Sequence, residues 1–596
     1  MWNYLIFSGL FAIVSLLLTQ NLKRPISIVD RGKTRYDYVI VGAGTAGCVM
    51  ASRLSANSNT TVLLVEAGGY FGWLSTIPIA APILQKSYMD WAYKTESQSF
   101  SSKGLLDNRQ NIPRGKGLGG SGQLNYLVHS FGRPEDYSHW PEGWSHVELQ
   151  PYFHRVTKLV RARAALVKED LARAMREAAN SLWGSGASFA EAQTTLYKGA
   201  RWSTYHSHLR AAWDRANLHI LVDTTVTRVS DLLSLRAIAC PPHLRKTTVE
   251  YTTLTPFASL ELKILLDKEN KIVGVEVQYE DGLSEEIEAT EEVILCAGAI
   301  GTPHLLMISG IGPRDQLDKF KIPVQLDVPA VGKNYIDHFN MPVYVQLKSP
   351  VSITLKKLQS ISTIVQYFLF GTGLLASNGI MGIARVNDSA VLLAGIASTD
   401  EKLLKIISNY RTKTFRSLFP SYADPMRHGF IFMSNCLQPK SRGNITLGSN
   451  SIFDRPIIEP AFLERYEDVA CTINAIRLGL SIIRTPLFRK FGAEVHVPDI
   501  EECQDLVQDY RDDAFAECVI RVAGLTSHHP TGTCKMGNSD EDGVVDEFLR
   551  VHGIQGLRIV DASVLPIPVS GMPNSVIIVL AERLAGIILQ SSKFKR

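Results

Sequence analysis

Apolar runs and polar breaks cut this chain into short strands alternating with helices. Tyr38–Val41 is a β-branched apolar run that enters the glycine turn Gly42-Ala43-Gly44-Thr45-Ala46-Gly47. CVMASRLSAN then has helical spacing, and TVLLVEAGG predicts a second buried strand carrying Glu66 at its end. Strand, turn, helix, strand and acid in this order predict a parallel βαβ unit. Further along, LVKEDLARAMREAANSLW predicts a helix and NLHILVDTTVTRV a pair of strands. KILLDKENKIVGVEVQYEDG predicts a hairpin around Lys268-Glu269-Asn270. The stretch between those two, about 231–259, reads as an insertion in the sheet. EEVILCAGAIGTPHLLMISGIG predicts strand, small-residue turn and short helix. Residues 340–500 alternate strands with longer helices, CTINAIRLGLSIIRT among them, and predict a second domain. LRIVDASVLPIPVSGMPNSVIIVLAERLAGIIL closes with a strand, a loop and a helix apolar enough to dock on the first domain.

The N-terminal run Tyr4–Leu18 differs from these segments. It is shorter than the roughly 20 residues that span a bilayer and has the length of a signal-peptide core. Residues 1–20 are therefore expected to be a secretory signal, and the chain secreted with no stable membrane span. Because Lys23 and Arg24 follow the run, an uncleaved anchor stays open, as does a buried helix. Sequons at Asn59, Asn387 and Asn444 fit a secreted glycoprotein. With 596 residues, two to four domains are expected. Against 62 basic residues stand 58 acidic ones, and no basic stripe with interleaved aromatics occurs, so no nucleic-acid partner is expected. Eight cysteines do not make a disulfide scaffold at this length. Cys48 and Cys296 lie in apolar runs and read as buried thiols, while Cys503 and Cys518 are close enough to bridge.

The first turn carries specific chemistry. Gly42 permits the tight turn, Gly44 lets backbone approach a pyrophosphate, and Gly47 lets helix and strand pack closely. Glu66 follows Gly47 at the spacing of an acid that bonds an adenosine ribose, so a dinucleotide without a 2′-phosphate is expected. A second glycine-rich loop, NIPRGKGLGGSGQLN, is either a surface loop or another close approach of backbone to a ligand. Near the other end, TSHHPTGTCKMG holds two histidines and a cysteine. Its three readings are a metal site, a reactive thiol at Cys534, and a single imidazole acting as base, His529 or its neighbour His528.

GKGLGGSGQLN, GAIGTPHLLMISGIG, VGKNYIDH, HPTGTCKMG and GLRIVDAS occur in the order of the blocks of the glucose-methanol-choline oxidoreductases, which the chain resembles from Asp37 to about Leu589. The resemblance is strongest to the secreted glucose-dehydrogenase-like branch. It implies FAD on an α/β fold: a Rossmann-like FAD-binding domain in discontinuous segments (36–335 and 521–592) and an α+β substrate domain with an antiparallel sheet (336–520). It implies that Gly42, Gly44, Gly47 and Glu66 hold the ADP half. Gly119, Gly120 and Asn125 would run along the pyrophosphate and flavin. The backbone of Val226 would meet adenine, and Asp561 and Ala562 would lie beside the ribityl chain. His529 becomes the catalytic base, with Asn574 as the donor to the developing alkoxide. The implied reaction is oxidation of a sugar, sterol or choline-like alcohol, with oxygen or a quinone as electron acceptor and no metal.

Several positions depart from the family pattern. His129 stands in place of an aromatic, Phe131 in place of Arg, and Met572 in place of an Asn two residues before Asn574. The segment after Phe153 is short. These departures motivate a competing reading, a catalytically impaired FAD-binding protein with a binding or structural role. A lyase on the same fold is a third.

Overall fold

The computed structural model describes residues 25–164, 170–182, 186, 188–231, 271–397, 401–424 and 426–594. The N-terminal apolar run, the Lys268–Asn270 turn and nearly all of the expected insertion lie outside them. In chain order the elements that position the site are β1 (Arg35–Val41), α1 (Thr45–Leu54), β2 (Val62–Val65), β3 (Leu218–Leu221), β4 (Thr225–Asp231), β5 (Ile272–Gln278), β6 (Ser284–Leu295), α2 (Gly298–Ile308), β7 (Phe339–Leu347), α3 (Ile361–Phe370), β8 (Ile380–Val386), β9 (Ser389–Ala394), β10 (His428–Cys436), α4 (Tyr466–Ile483), β11 (Leu557–Ile559) and α5 (Pro573–Phe594).

One sheet runs β3-β2-β1-β6-β5-β4, with β11 on the C-terminal half of β6. Pairing is parallel from β3 through β6 and at β11, then antiparallel across β5 and β4. Val39, Ile40, Leu63 and Leu64 are fully buried because a parallel sheet is covered on both faces. The expected docking of the terminal helix is present: α5 packs on α1 and buries Val576, Leu580, Leu584 and Ala585. By length and composition α5 could cross a membrane, but it is a core helix.

The second sheet, entirely antiparallel, contains β7-β10-β9-β8 with α4 across it. It also draws in strands from elsewhere in the chain. Ser188–Glu191 pairs with β8 and Leu525–Thr526 with the start of β7. Short polar strands such as SFAE carry no strong period, so only the pairing edge offered by β8 reveals them. Cys503 and Cys518, close in sequence, are bridged, and a second bridge joins Cys436 to Cys471. Cys48 and Cys296 are buried thiols.

The glycine turn has almost no steric slack. A Cβ on Gly47 would sit 1.9 Å from the Gly42 carbonyl oxygen, and a Cβ on Gly120 would sit 2.7 Å from the Cα of Gly44. Gly47→Ala should therefore push α1 off β1. The expected outcome is loss of soluble folded protein, or a thermal midpoint lower by about 2 °C or more, which corresponds to roughly 2 kcal/mol or more at this size. An unchanged midpoint would contradict the close approach.

Candidate active site

The dinucleotide turn is assembled by Glu66. Its buried carboxylate accepts hydrogen bonds from the amides of Ala43 (2.8 Å), Gly68 (3.0 Å) and Gly117 (2.9 Å). Burial raises its pKa to about 7 against the lowering effect of those three amides. A carboxylate has about four acceptor directions, so room for one further donor, such as a ribose hydroxyl, remains. The Gly119 amide reaches the Ala43 carbonyl (2.7 Å), which lays the second glycine loop against the first turn. The Thr224 amide bonds the Glu66 carbonyl (3.0 Å), and the ladder of β4 shifts register between Val226 and Arg228. Gly42, Gly44, Gly47, Glu66, Gly119, Gly120 and Val226 are thereby brought to one region.

Several observations fit a bound dinucleotide here. An added Cβ on Gly44 would meet no protein atom closer than 3.8 Å, so space is left where α1 begins. Amide groups at a helix start favour a phosphate. Beside the loop, Arg201 is fully buried, with bonds to the carbonyls of Ser75 and Gly122 and to Asn125 Oδ1. Its Nη2 has no partner, and burial alone lowers its pKa to about 9. Arg201 makes no ion pair among the described residues, and a buried cation of this kind calls for a nearby anion. Asn125 also accepts from the Leu127 amide (3.1 Å).

Asp561 is a buried clamp. Its carboxylate accepts from the Gly298 amide, Thr302 Oγ1, and both the amide and the hydroxyl of Ser563. All four acceptor directions are used, so any contact with a ribityl chain falls to its backbone and that of Ala562. This turn holds the His529 segment: Gly532, Cys534 and Met536 donate their amides to the carbonyls of Ala562, Ser563 and Val564.

Three residues with no role assigned from sequence shape that segment. Asp337 Oδ1 accepts from the His529 amide (2.8 Å), and Oδ2 from Thr526 Oγ1 (2.5 Å) and the Tyr335 hydroxyl (3.3 Å). Burial raises the Asp337 pKa to about 6. Arg114 Nη2 donates to the His528 carbonyl (2.9 Å), and His528 has a left-handed backbone (φ 62°) that few non-glycine residues adopt. His338 lies 3.0 Å from His529, Nδ1 to Nδ1, and its Nε2 lies 3.0 Å from the Leu437 carbonyl. The only sequence signal for Asp337 and His338 was the Asp-His pair ending the VGKNYIDH turn.

Protons can be assigned along this chain. Burial lowers the pKa of both His338 and His529, and His529 is lowered further by His338, Arg114 and His528, so both rings are neutral near pH 7. A carbonyl only accepts, so His338 Nε2 carries a proton and its Nδ1 accepts. His529 must then donate through Nδ1, leaving a lone pair on Nε2. That nitrogen makes no hydrogen bond among the described residues. The arrangement is a neutral base with its tautomer fixed by a neighbour.

The other readings of this segment fare less well. Cys534 is fully buried, and burial pushes its pKa well above the ordinary thiol value, away from a reactive thiolate. Burial lowers the His528 pKa to about 3. Among the described residues no three His, Cys, Asp or Glu side chains are placed to hold a metal.

Asn574 is placed apart from this histidine pair in the hydrogen-bond network. Its Oδ1 accepts from Thr45 Oγ1 (2.6 Å), and no hydrogen bond joins it to the His529 network among the described residues. Two residues earlier, the Met572 side chain has no polar hydrogen to offer, and its amide is used on the Ser130 carbonyl (2.9 Å). His129 is core: its Nδ1 bonds Ser575 Oγ (2.8 Å), its ring meets Phe131 edge-on, and Phe131 stacks on Phe153.

Asp337→Ala should remove acceptors from the His529 amide and the Thr526 hydroxyl together. About 2–4 kcal/mol of stability should be lost, measured by denaturant unfolding. A loss under 0.5 kcal/mol would contradict the clamp.

Residues 36–340 and 439–581 match the N- and C-terminal models of the GMC oxidoreductases. The chain is 34% identical over 600 residues to Drosophila melanogaster neither inactivation nor afterpotential protein G, covering 96% of this chain and 94% of that one. It is 31% identical to the oxygen-dependent choline dehydrogenase of Cronobacter sakazakii (92% and 94% covered). It is 29% identical to the glucose dehydrogenase [FAD, quinone] of Drosophila melanogaster (92% and 86%). The Aspergillus oryzae formate oxidase structure superposes with a TM-score of 0.75 at 23% identity, covering 94% of this chain and 99% of that one. The glycine turn, the Glu66 clamp and the single imidazole therefore belong to a GMC oxidoreductase, an FAD-dependent enzyme acting on CH–OH donors.

Proposed function

We propose that this enzyme oxidises a primary or secondary alcohol of a sugar, sterol or choline-like substrate, with His529 as the base. The observation that carries the proposal is the Leu437–His338–His529 chain, which leaves Nε2 of a neutral imidazole with a free lone pair. That atom takes the hydroxyl proton of the substrate. Asp337 holds the His529 backbone, and the Ala562–Val564 turn holds its loop. Bound FAD supplies the two-electron acceptor. Gly42, Gly44, Gly47, Glu66, Gly119, Gly120, Asn125, Val226 and the backbones of Asp561 and Ala562 are the residues proposed to hold it. Asn574 is proposed to secure the start of α1 beside the cofactor: its amide oxygen holds Thr45, and no hydrogen bond links it to the His529 network among the described residues.

Among the relatives, the names glucose dehydrogenase [FAD, quinone] and oxygen-dependent choline dehydrogenase support a sugar or a small alcohol, and either a quinone or oxygen as acceptor. Secretion remains part of the proposal, supported by two disulfides, which persist in oxidising compartments, and by the sequons at Asn59, Asn387 and Asn444.

Anaerobic mixing with a panel of alcohols and sugars should bleach the flavin with at least one member, and aerobic peroxide release then separates an oxidase from a dehydrogenase. His529→Ala should slow that bleaching by about 10²–10⁴-fold without loss of FAD; equal rates would overturn the assignment. Because the His529 pKa is held well below 6.5, the base stays unprotonated through neutral and mildly acidic pH. His529 itself should contribute no inflection to the bleaching rate from neutral pH down past 6.5, its protonation entering only in stronger acid. An inflection at or above 6.5 assigned to His529 would contradict the desolvated site. Asn574→Ala should lower FAD retention on gel filtration while the rate per bound flavin stays within about threefold. A drop of about a hundredfold per flavin would restore the alkoxide-donor role.

A further inference from the structure

The second layer carries an apolar face on its surface. α3 starts at Ser360, whose side chain accepts from the Thr363 amide, and ends at Gly371 in the left-handed region. Tyr367 is buried on the segment Ile77–Ala80, in a small cluster that Leu74 also joins. The helix turns another face outward: Ile361, Val365, Phe368 and Leu369 share one side by their spacing. Ile361 is 64% exposed, Leu369 65% and Phe370, at the helix end, 71%. Trp73, next to Leu74 on the neighbouring strip, is half exposed. Contiguous apolar surface of this kind marks an interaction site.

Charge identifies what it meets. Neither segment that builds the face contains an acid: no Asp or Glu occurs between Glu66 and Asp90, or between Asp337 and Asp388. The exposed charged side chains that these segments contribute are basic. Lys356 and Lys357 are exposed one turn before α3, and Lys86 is exposed on the neighbouring strip. Lys198 is exposed at the other end, where its carbonyl lies 2.4 Å from the position of a Cβ added to Gly371. A second copy of the chain would bring a basic rim against a basic rim. An apolar face bordered by these exposed lysines complements an anionic lipid surface.

We propose that α3 and the Trp73 strip dock on the interface of an anionic bilayer, with Ile361, Leu369 and Phe370 entering the headgroup boundary and the lysines facing lipid phosphates. The docking is peripheral and needs no spanning helix. It is independent of the substrate and of the role of His529.

The test is co-sedimentation of the full-length, FAD-loaded protein with phosphatidylcholine vesicles, with and without phosphatidylserine. The parent should bind the anionic vesicles at least about tenfold more tightly, and added salt should weaken binding. The double variant Leu369→Glu/Phe370→Glu should lose that binding by about tenfold or more, with flavin absorbance and thermal midpoint unchanged. Lys356→Glu/Lys357→Glu, which leaves the apolar face intact, should abolish the preference for phosphatidylserine. Parent-like binding by the Leu369/Phe370 variant would overturn the proposal, as would equal binding to both vesicle types or no binding by the parent. A concentration-dependent dimer that the same variant abolishes would instead assign the face to a second copy.

Discussion

The site depends on buried carboxylates bonded to backbone amides from distant parts of the chain. Glu66 ties the first turn to the Gly117 loop, Asp337 ties β7 to the His529 segment, and Asp561 ties α2 to the turn that carries that segment. Burying a carboxylate is costly, and the raised pKa values of Glu66 and Asp337 reflect that cost. Several donors to one acceptor offset it, and only while all the segments stay in place. The carboxylates therefore make the position of each loop conditional on the others.

Neutral histidines complete the arrangement. A desolvated base stays unprotonated, and burial acts first on His529 in that direction, with the neighbouring His338 ring and the Arg114 guanidinium adding to it. The Leu437 carbonyl sets the proton on His338, and His338 sets the proton on His529. Basicity is thus directed to one nitrogen by hydrogen-bond geometry rather than by an adjacent acid. The carboxylate nearest in sequence to His338, Asp337, bonds the His529 backbone and leaves the ring free.

Asn574 and Met572 show how a position can be legible while its partner is not. Sequence order places both just before the terminal helix, where an alkoxide donor was expected. The structure commits the Asn574 oxygen to Thr45, more than five hundred residues earlier in the chain. That bond follows from the packing of α5 on α1, a contact with no local signature.

The sequence alone determined the features governed by local rules. The glycine turn, the strand before it and Glu66 after it obey short-range sterics and spacing, and the order of the blocks carries the family and FAD. His529 was singled out because Pro-Thr-Gly-Thr-Cys follows it. Tertiary structure decided what depends on contacts across hundreds of residues. It placed Ser188–Glu191 at the edge of β8 and bridged Cys436 to Cys471. It buried Arg201 beside Asn125 with no carboxylate partner among the described residues, and it set His338 against His529. A side chain's neighbours along the chain fix its backbone, but its proton, its charge and its partner are fixed by whatever folds against it.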